Sequence, residues 1–536
     1  GLKYADWLEI ENWYEKEWFK SQRVRLFGTS SVFRVPTKEI HGKHINLVVK
    51  NCRVGEDVPF DTHTLYEFIN AEFNSPWEEF SLVMEMREGT YGPKDMIIST
   101  QFPLAIYVPP ERLQVWQTGR SRDKINKITH RHPGINLDIL RQYKLVYQWI
   151  EGLNIVEVLT EIGVPKDIMK TYLREINAGT ITDMKKKGYI VADMKPSHII
   201  IDDTQIEEMR KLGRTSTPEK KGDACFNYIN SRINSNEYSI VDYELLSRTP
   251  EHETEVKNYR RHLYLDEQVD RFSESRLPPF LCQSEIFNVS YVHGHVESTG
   301  GFLWVVGKNP RLFDFFLPER WRRTPCHQLS LSKEIYYTIT KDNIHIVWKI
   351  SRVGENAPSD ETEHRSRYIN ERGYNSPFEE FGIVQNLSEN GIPTIYIRAI
   401  YMTGSTRIES MTDPRHYSLH NNSFCIDGEP VLREDHNYIT IRGFYNGPDS
   451  WVASQNESFY TPHDLMNATK KGIIEPEQSD KLLDITQSRL RNLGYDGTLL
   501  EPNDILVSTD PRGAIVLDKE GLPEARICNF EFIYKM

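Results

Sequence analysis

The sequence predicts an α+β protein built as two tandem domains, each with a β-rich part followed by a helical part. Three observations lead there. The chain has 536 residues, more than the ~100 to 200 that one compact domain usually uses. It contains an internal repeat, and both copies run through the same succession of apolar β-branched runs and helical segments. The repeat is explicit: LVVKNCRVGEDVP from Leu47 to Pro59 and NSPWEEF from Asn74 to Phe80 return as IVWKISRVGENAP from Ile346 to Pro358 and NSPFEEF from Asn375 to Phe381. These blocks are not low-complexity and keep their order and approximate spacing, so duplication accounts for them better than biased composition.

Each element has a local reason. The opening segment sets Trp7, Leu8, Ile10, Trp13, Tyr14 and Trp18 among acidic residues, an amphipathic helix whose aromatics are expected to pack on the first domain. In each copy a β-branched run ends in a lysine, Lys50 or Lys349, which brings an ammonium to one end of a sheet. Ser75 and Ser376 then cap a helix with Pro76 or Pro377 in its first turn and Glu78 or Glu379 closing a capping box. The second of these helices is expected to stop at Gly391, two residues before Pro393. YKLVYQWIEG, from Tyr143 to Gly152, and YITIRGFYNG, from Tyr438 to Gly447, read as buried strands ending in turns. Helical periodicity marks IVEVLTEI and DIMKTYLREINAGTITDMKKKG in the first copy and SDKLLDITQSRLRNLG in the second. The polar stretch TQIEEMRKLGRTSTPEKKGDA reads as a mobile surface loop, with substrate contact as the sharper alternative. VKNYRRHLYLDEQVDRF reads as a helix and SYVHGHVESTGGFLWVVGKNP as a hairpin or a connector. The boundary is set near residue 320, giving domains 1–320 and 321–536.

Composition narrows the function classes. With 38% hydrophobic and 26% charged residues the chain is globular rather than disordered. A net charge of -12 argues against a nucleic-acid reader, which needs Lys and Arg in surplus on at least one face. The six cysteines are scattered without a Cys-x-x-Cys pair, so neither a zinc site nor a disulfide framework is indicated. No apolar run of ~18 residues and no basic-then-apolar leader is present, and a cytoplasmic protein with no membrane partner is expected.

The chemistry concentrates in GYIVADMKPSHIIID, from Gly188 to Asp202, and YSIVDYELL, from Tyr238 to Leu246. Asp193 and Lys195 fall in a loop before an Ile-Ile-Ile run, and Asp242 ends the next β-like run, so two short strands would hold both carboxylates at one cleft. Phosphoryl transfer needs such a set: a carboxylate near the acceptor hydroxyl, cations around the phosphates and a carboxylate for the metal. Taken singly, a strand-ending lysine is usually a solvated charge and a Ser-x-x-Glu only a cap. The order Lys, Glu, Asp-x-Lys-Pro, Asp-aromatic-Glu is what carries the reading.

On these motifs the chain resembles the protein-kinase-like superfamily, and its Asp-Tyr-Glu at Asp242 to Glu244 is similar to the atypical and aminoglycoside-phosphotransferase-like branch. The resemblance spans about residues 20–250 and again 320–536. It implies two tandem bilobal domains, each with a β-rich N-lobe and a helical C-lobe, and ATP with Mg²⁺ or Mn²⁺ as cofactors. Lys50 would hold the α and β phosphates and pair with Glu79, preferred over Glu78. Asp193 would be the base or hydroxyl-orienting group, Lys195 would neutralise the transferring phosphoryl, and Asp242 would bind metal. Tyr147 would guard the pocket behind a hinge of Gln148, Trp149 and Ile150, and Gly28, in GTSSVF, would begin the phosphate-covering loop. His198 stands where the family pattern has a metal-binding Asn; Mn²⁺ ligation, donation to phosphate and support of the loop are its three readings.

The second copy departs. Anchoring Gly188-Tyr189 on Gly494-Tyr495 puts Leu499 at the Asp193 position, Glu501 at Lys195, Asp504 at His198 and Asn529 at Asp242. The resemblance then implies an active first domain and a pseudokinase that contacts and regulates it. The expected activity is phosphoryl transfer to a hydroxyl of a small molecule or protein. A catalytically inactive nucleotide-binding scaffold and nucleotidyl transfer on the same fold are the alternatives.

Overall fold

A computed structural model of the chain describes residues 2–26, 31–52, 73–111, 113–114, 141–215, 218–235, 237–321, 324–330, 333–358, 362–404, 420, 425–426, 428–433, 436–445 and 460–536. They form a mixed α+β protein that clusters into two compact units, one of described residues up to Glu255 and one from Val256 onward. Among the described residues no helix is long and apolar enough to cross a membrane.

The first unit opens with three short helices, Ala5–Leu8, Ile10–Trp13 and Lys16–Gln22, in place of one amphipathic helix. Glu9 and Glu15 stand at the breaks in extended geometry, and the Glu15 carboxylate caps the third helix by accepting from Glu17 N and Trp18 N. The breaks let Trp13 turn fully inward onto Val35, Leu47, Val49 and Val146. That cluster is one face of a five-stranded antiparallel sheet in the spatial order Val24–Arg25, Val32–Pro36, Asn46–Asn51, Lys144–Gln148, Pro103–Tyr107. The register pairs Lys50 with Val32 on one side and Leu145 on the other.

The helix Pro76–Glu88 begins as its sequence dictates. Ser75 Oγ accepts from Glu78 N, and the Glu78 carboxylate accepts from Ser75 N, which satisfies two of the end amides a helix leaves unpaired. It ends at Gly89 in the left-handed region. Beyond the sheet, helices Ile155–Ile162 and Lys166–Lys186 bury Ile155, Val158, Leu159 and Ile176 in a second core. A small sheet lies against them, ordered Ser99–Thr100, Ser239–Ile240, Ile199–Asp202, Gly152–Asn154. Gly152 cannot carry a side chain there, because a Cβ would stand 2.1 Å from Ile201 O.

The polar stretch after Asp202, expected to be a mobile loop, is instead two helices, Asp203–Thr215 and Pro218–Asn234. Apolar residues spaced three or four apart are hidden among its charges: Ile206 and Met209, then Cys225, Ile229 and Ile233, all buried in the same core. The Asp202 carboxylate accepts from Gln205 N at the entry to the first of them.

The second unit repeats the sheet and enlarges it. Eight antiparallel strands lie in the order Cys282–Ile286, Val289–Val296, Gly301–Val306, Tyr396–Met402, Tyr438–Gly443, His345–Ile350, Ile335–Ile339, Cys326–Gln328. The segment read as a hairpin or connector is a hairpin, and its second strand joins the repeat through Trp304 against Ile400. Helix Pro377–Glu389 carries the same capping box, built by Ser376 and Glu379. It stops one residue before Asn390, with Gly391 following in the left-handed region. Helix Pro476–Asn492 and a three-stranded sheet, Thr461–Asp464, Ile505–Thr509, Arg526–Ile527, complete the unit.

Candidate active site

In the first unit the sheet, the capped helix and the small sheet deliver their charged side chains to one point. Lys50, at the end of its strand, is buried; its Nζ lies 3.0 Å from Glu79 Oε1, 3.1 Å from Asp242 Oδ1 and 3.5 Å from Glu244 Oε2. Burial by itself would lower this ammonium, but the three carboxylates hold it well above its usual range, and it stays charged. The geometry divides the two helix glutamates cleanly: Glu78 is used by the cap, while Glu79 faces inward to Lys50 and accepts from Tyr147 OH at 2.8 Å.

Asp193 and Asp242 come together through the pairing of Ile199 with Ile240 and Ile200 with Ser239. After Val191 the chain turns and enters a single 3-10 turn, Pro196–His198, that drops His198 inward. The ligand atoms of Asp193, His198 and Asp242 all lie within 4.8 Å of one another. Asp242 has φ +69°, a left-handed conformation that costs a non-glycine residue roughly 1–2 kcal/mol. Bonds hold the chain on either side of it: Val241 N donates to His198 O at 2.9 Å, and Asn74 Nδ2 donates to the carbonyls of Tyr243 and Leu246.

Electrostatics differ across the cluster. Burial favours the neutral form of Asp242, but Lys50 and then His198 outweigh it and bring the carboxyl down to about 2. Burial, helped by the negative charge of Asp242, raises Asp193. Burial brings His198 down to about 4, so its ring is neutral at pH 7. Among the described residues His198 Nδ1 and Asp193 Oδ1 are buried without a hydrogen-bond partner, and it is the other ring nitrogen, His198 Nε2, that faces Asp242 Oδ2 at 3.5 Å. Two carboxylates and a neutral imidazole suit a borderline divalent ion such as Mn²⁺ better than Mg²⁺, which favours oxygen alone.

Lys195 is half exposed, its Nζ 3.7 Å from Asp193 Oδ2. Tyr147 is buried behind Lys50. Gln148, Trp149 and Ile150 follow it at the end of this interior strand, where Gln148 N donates to Phe102 O and Trp149 N to Asn46 O. Gly28 lies outside the described residues, as do residues 29–30 of the segment expected to cover phosphates.

The equivalent place in the second unit has different chemistry. Lys349 Nζ lies 3.3 Å from Glu380 Oε1 and 2.8 Å from Glu531 Oε1, and it donates to Asn529 Oδ1 at 3.2 Å. Arg442 occupies the register position of Tyr147, since each pairs with the residue two before the lysine. Arg442 binds Glu380 Oε2 at 2.6 Å and donates to Cys528 O. Asp504 accepts from Lys333 Nζ at 3.0 Å and from Asn529 Nδ2 at 2.9 Å.

Sequence reasoning missed five participants, two pairs repeated between the copies and one lysine. Asn74 and Asn375 each pin the segment after the Asp or Asn of the last motif, Asn375 through the carbonyls of Phe530 and Ile533 at 2.8 Å. Glu244 and Glu531 each add a carboxylate to the buried lysine. Their presence in both copies was the available signal. Lys333 had no such signal: because Val32 pairs with Lys50 and Ile335 with Lys349, it aligns with Ser30, not a cation, in the first copy.

No protein-family model matches the chain, and no curated protein matches it.

Proposed function

We propose that the first unit is an ATP-dependent phosphotransferase of the protein-kinase-like class, acting on a hydroxyl of a small molecule or protein, and that the second is a degenerate copy without turnover. One observation carries the reading: Lys50 links a helix glutamate to Asp242, and Asp242 converges with Asp193 and His198 on a single point. Two bilobal domains, each with a β-rich N-lobe and a helical C-lobe, belong to the same proposal.

The residues divide the work. Lys50, held by Glu79 and with Glu79 steadied by Tyr147, binds the phosphates nearest the nucleoside. Asp242 and His198 would hold Mn²⁺ or Mg²⁺, which when bound supplies charge neutralisation at the phosphates. Asp193 orients the acceptor hydroxyl and takes its proton, a role its raised affinity for protons suits. Lys195, on the open side of Asp193, steadies the negative charge on the transferred group. Phosphoryl transfer asks the protein for positioning and charge rather than for a covalent intermediate.

The test is ATP turnover by the whole chain with Mn²⁺ or Mg²⁺, comparing it with Asp193→Ala and Asp242→Asn. Metal-dependent turnover lost in both variants is the expected result; turnover equal in all three proteins would overturn the assignment.

A further inference from the structure

Helix Pro76–Glu88 of the first unit is held at two points. Near its start Glu79 meets Lys50. Further on, about 9 Å along the axis, Glu85 meets Arg248 through a two-pronged fork, Nε to Oε1 at 2.8 Å and Nη2 to Oε2 at 2.6 Å. Tyr189 OH donates to Glu85 Oε1 at 2.9 Å, and His252 Nε2 stands 3.4 Å from the same oxygen. Arg248 Nη1 donates to Glu253 Oε2 at 2.8 Å. Both side chains of the fork are mostly buried, and a bidentate charged pair of this kind fixes geometry as well as adding energy. Burial opposes the charge on Glu85, but Arg248 and Tyr189 outweigh it and hold the carboxyl below its usual range.

The fork matters because of what lies on its other side. Arg248 pairs with Tyr189 across two short strands, as Leu246 pairs with Val191. Asp193 follows the first of these strands and Asp242 precedes the second. Glu85 therefore ties the helix that presents Glu79 to the strand pair that positions both carboxylates. Lys50 makes a similar connection through Asp242, but a cation bound at Asp242 would repel the ammonium and take up the carboxylate's charge. The fork involves no group of the site, so its hold does not change when the site fills.

The second unit cannot build this fork. Counting on from the paired glutamates Glu79 and Glu380 puts Asn386 at the Glu85 position. The pairing of Tyr495 with Lys535 puts Lys535 at the Arg248 position and Tyr495 at that of Tyr189. A neutral amide gives a cation no charge to pair with. The fork is thus present where Asp193 and Asp242 remain, and gone where Leu499 and Asn529 replace them.

We propose that Glu85 and Arg248 are positioning residues, a lock on the far end of the helix that keeps Glu79 on Lys50 while ligands enter and leave the site. Their part in turnover rests on the phosphotransferase reading, whereas the hold on Lys50 rests on the ion pairs alone. Neither residue touches the reacting atoms; each acts through the helix.

The experiment compares the whole chain with Arg248→Met, Glu85→Gln, the double variant and Arg248→Lys. Brief acetic anhydride labelling, resolved by peptide mass spectrometry, reports how often each buried lysine opens. Lys50 should label about tenfold faster in Arg248→Met and Glu85→Gln, while Lys144, buried in the same sheet, and Lys349 in the second unit stay within about twofold. In ATP turnover kcat should fall about tenfold or more, with KM for ATP changed less than about threefold. The double variant should lose no more than either single one, because the two residues make one interaction. Arg248→Lys, which keeps the charge without the fork, should recover part of both effects. Glu85→Gln, nearly unchanged in size, guards against misfolding of the larger replacement. Equal labelling of Lys50 in all the proteins overturns the proposal. So does labelling of Lys144 that rises in step with Lys50 in Glu85→Gln, the mark of a generally loosened unit, or a kcat that stays constant while Lys50 opens. Selective opening of Lys50 in a chain whose turnover is indifferent to Asp193→Ala would keep the lock and defeat the phosphotransferase reading alone.

Discussion

The two units use one framework for opposite electrostatic ends. Each places a lysine at the end of a sheet strand, a glutamate in the first turn of a capped helix, an asparagine before that cap and a second glutamate at the end of the last motif. They diverge where a metal would sit. The first unit keeps Asp193, His198 and Asp242, with buried atoms of Asp193 and His198 unpartnered, while the second replaces Asp242 by Asn529 and brings Lys333 onto Asp504. Asp242 holds a left-handed conformation, and Asn529 is not among the positive-φ residues. A buried lysine paired with a helix glutamate is common to both units; the carboxylates around it distinguish them.

The comparison breaks most sharply at Asp242. Asp242→Asn gives the first unit the second unit's side chain, and turnover should fall about a thousandfold, roughly 4 kcal/mol of lost transition-state stabilisation. Asn529→Asp makes the reverse change and should leave turnover where it was. Steady-state assays on the two variants decide it: comparable losses from both would mean that the second unit takes part in the reaction.

Next in size is the buried lysine of the second unit. Lys349→Met leaves Glu380 and Glu531 in the interior without one of their cations, and breaking such pairs typically costs about 3–5 kcal/mol. Urea denaturation followed at the second unit's strands by hydrogen exchange should register that loss. An unchanged midpoint would mean that Arg442 and Lys333 suffice to hold the acids.

Acid sharpens the contrast further. The ordinary imidazole value is 6.5, and burial brings His198 to about 4, so as pH falls the unfolded chain takes up the proton first. The stabilisation is complete above 6.5 and drains as pH falls towards 4, the loss reaching about 2 kcal/mol by pH 5. His345 in the second unit is likewise brought to about 4 by burial. In EDTA, His198→Asn should flatten the acid sensitivity of hydrogen exchange in the strand Lys144–Gln148 and leave that of Tyr438–Gly443 in place. Equal flattening in both would place the titrating group elsewhere.

Much of this was legible in the sequence, for reasons that depend on range. The capping boxes, the inward choice of Glu79 over Glu78 and the strand-ending lysines are local, set by spacings of three or four residues. The α+β class followed from the same periodicities. Lys333 was not legible, since its meaning lies in Asp504, 171 residues away. The helices Asp203–Thr215 and Pro218–Asn234 were obscured because few apolar residues carry their buried face among many charges. The segment Cys282–Val306 has no counterpart in the first sheet, so the repeat could not place it.

The smallest effect tests whether the framework is truly shared. Ser75 and Ser376 have nearly the same backbone geometry, φ -65° and -68°, and each accepts one amide bond at its helix start. Replacing either by alanine removes that bond and should cost about 1 kcal/mol. The losses should be equal in the two units, because the cap lies apart from the charges that distinguish them. Paired denaturation of Ser75→Ala and Ser376→Ala measures this directly. A clearly larger loss at Ser75 would mean that its cap also supports the strained Asp242 segment through Asn74, and that the common scaffold is itself biased toward the metal-ligand side of the first unit.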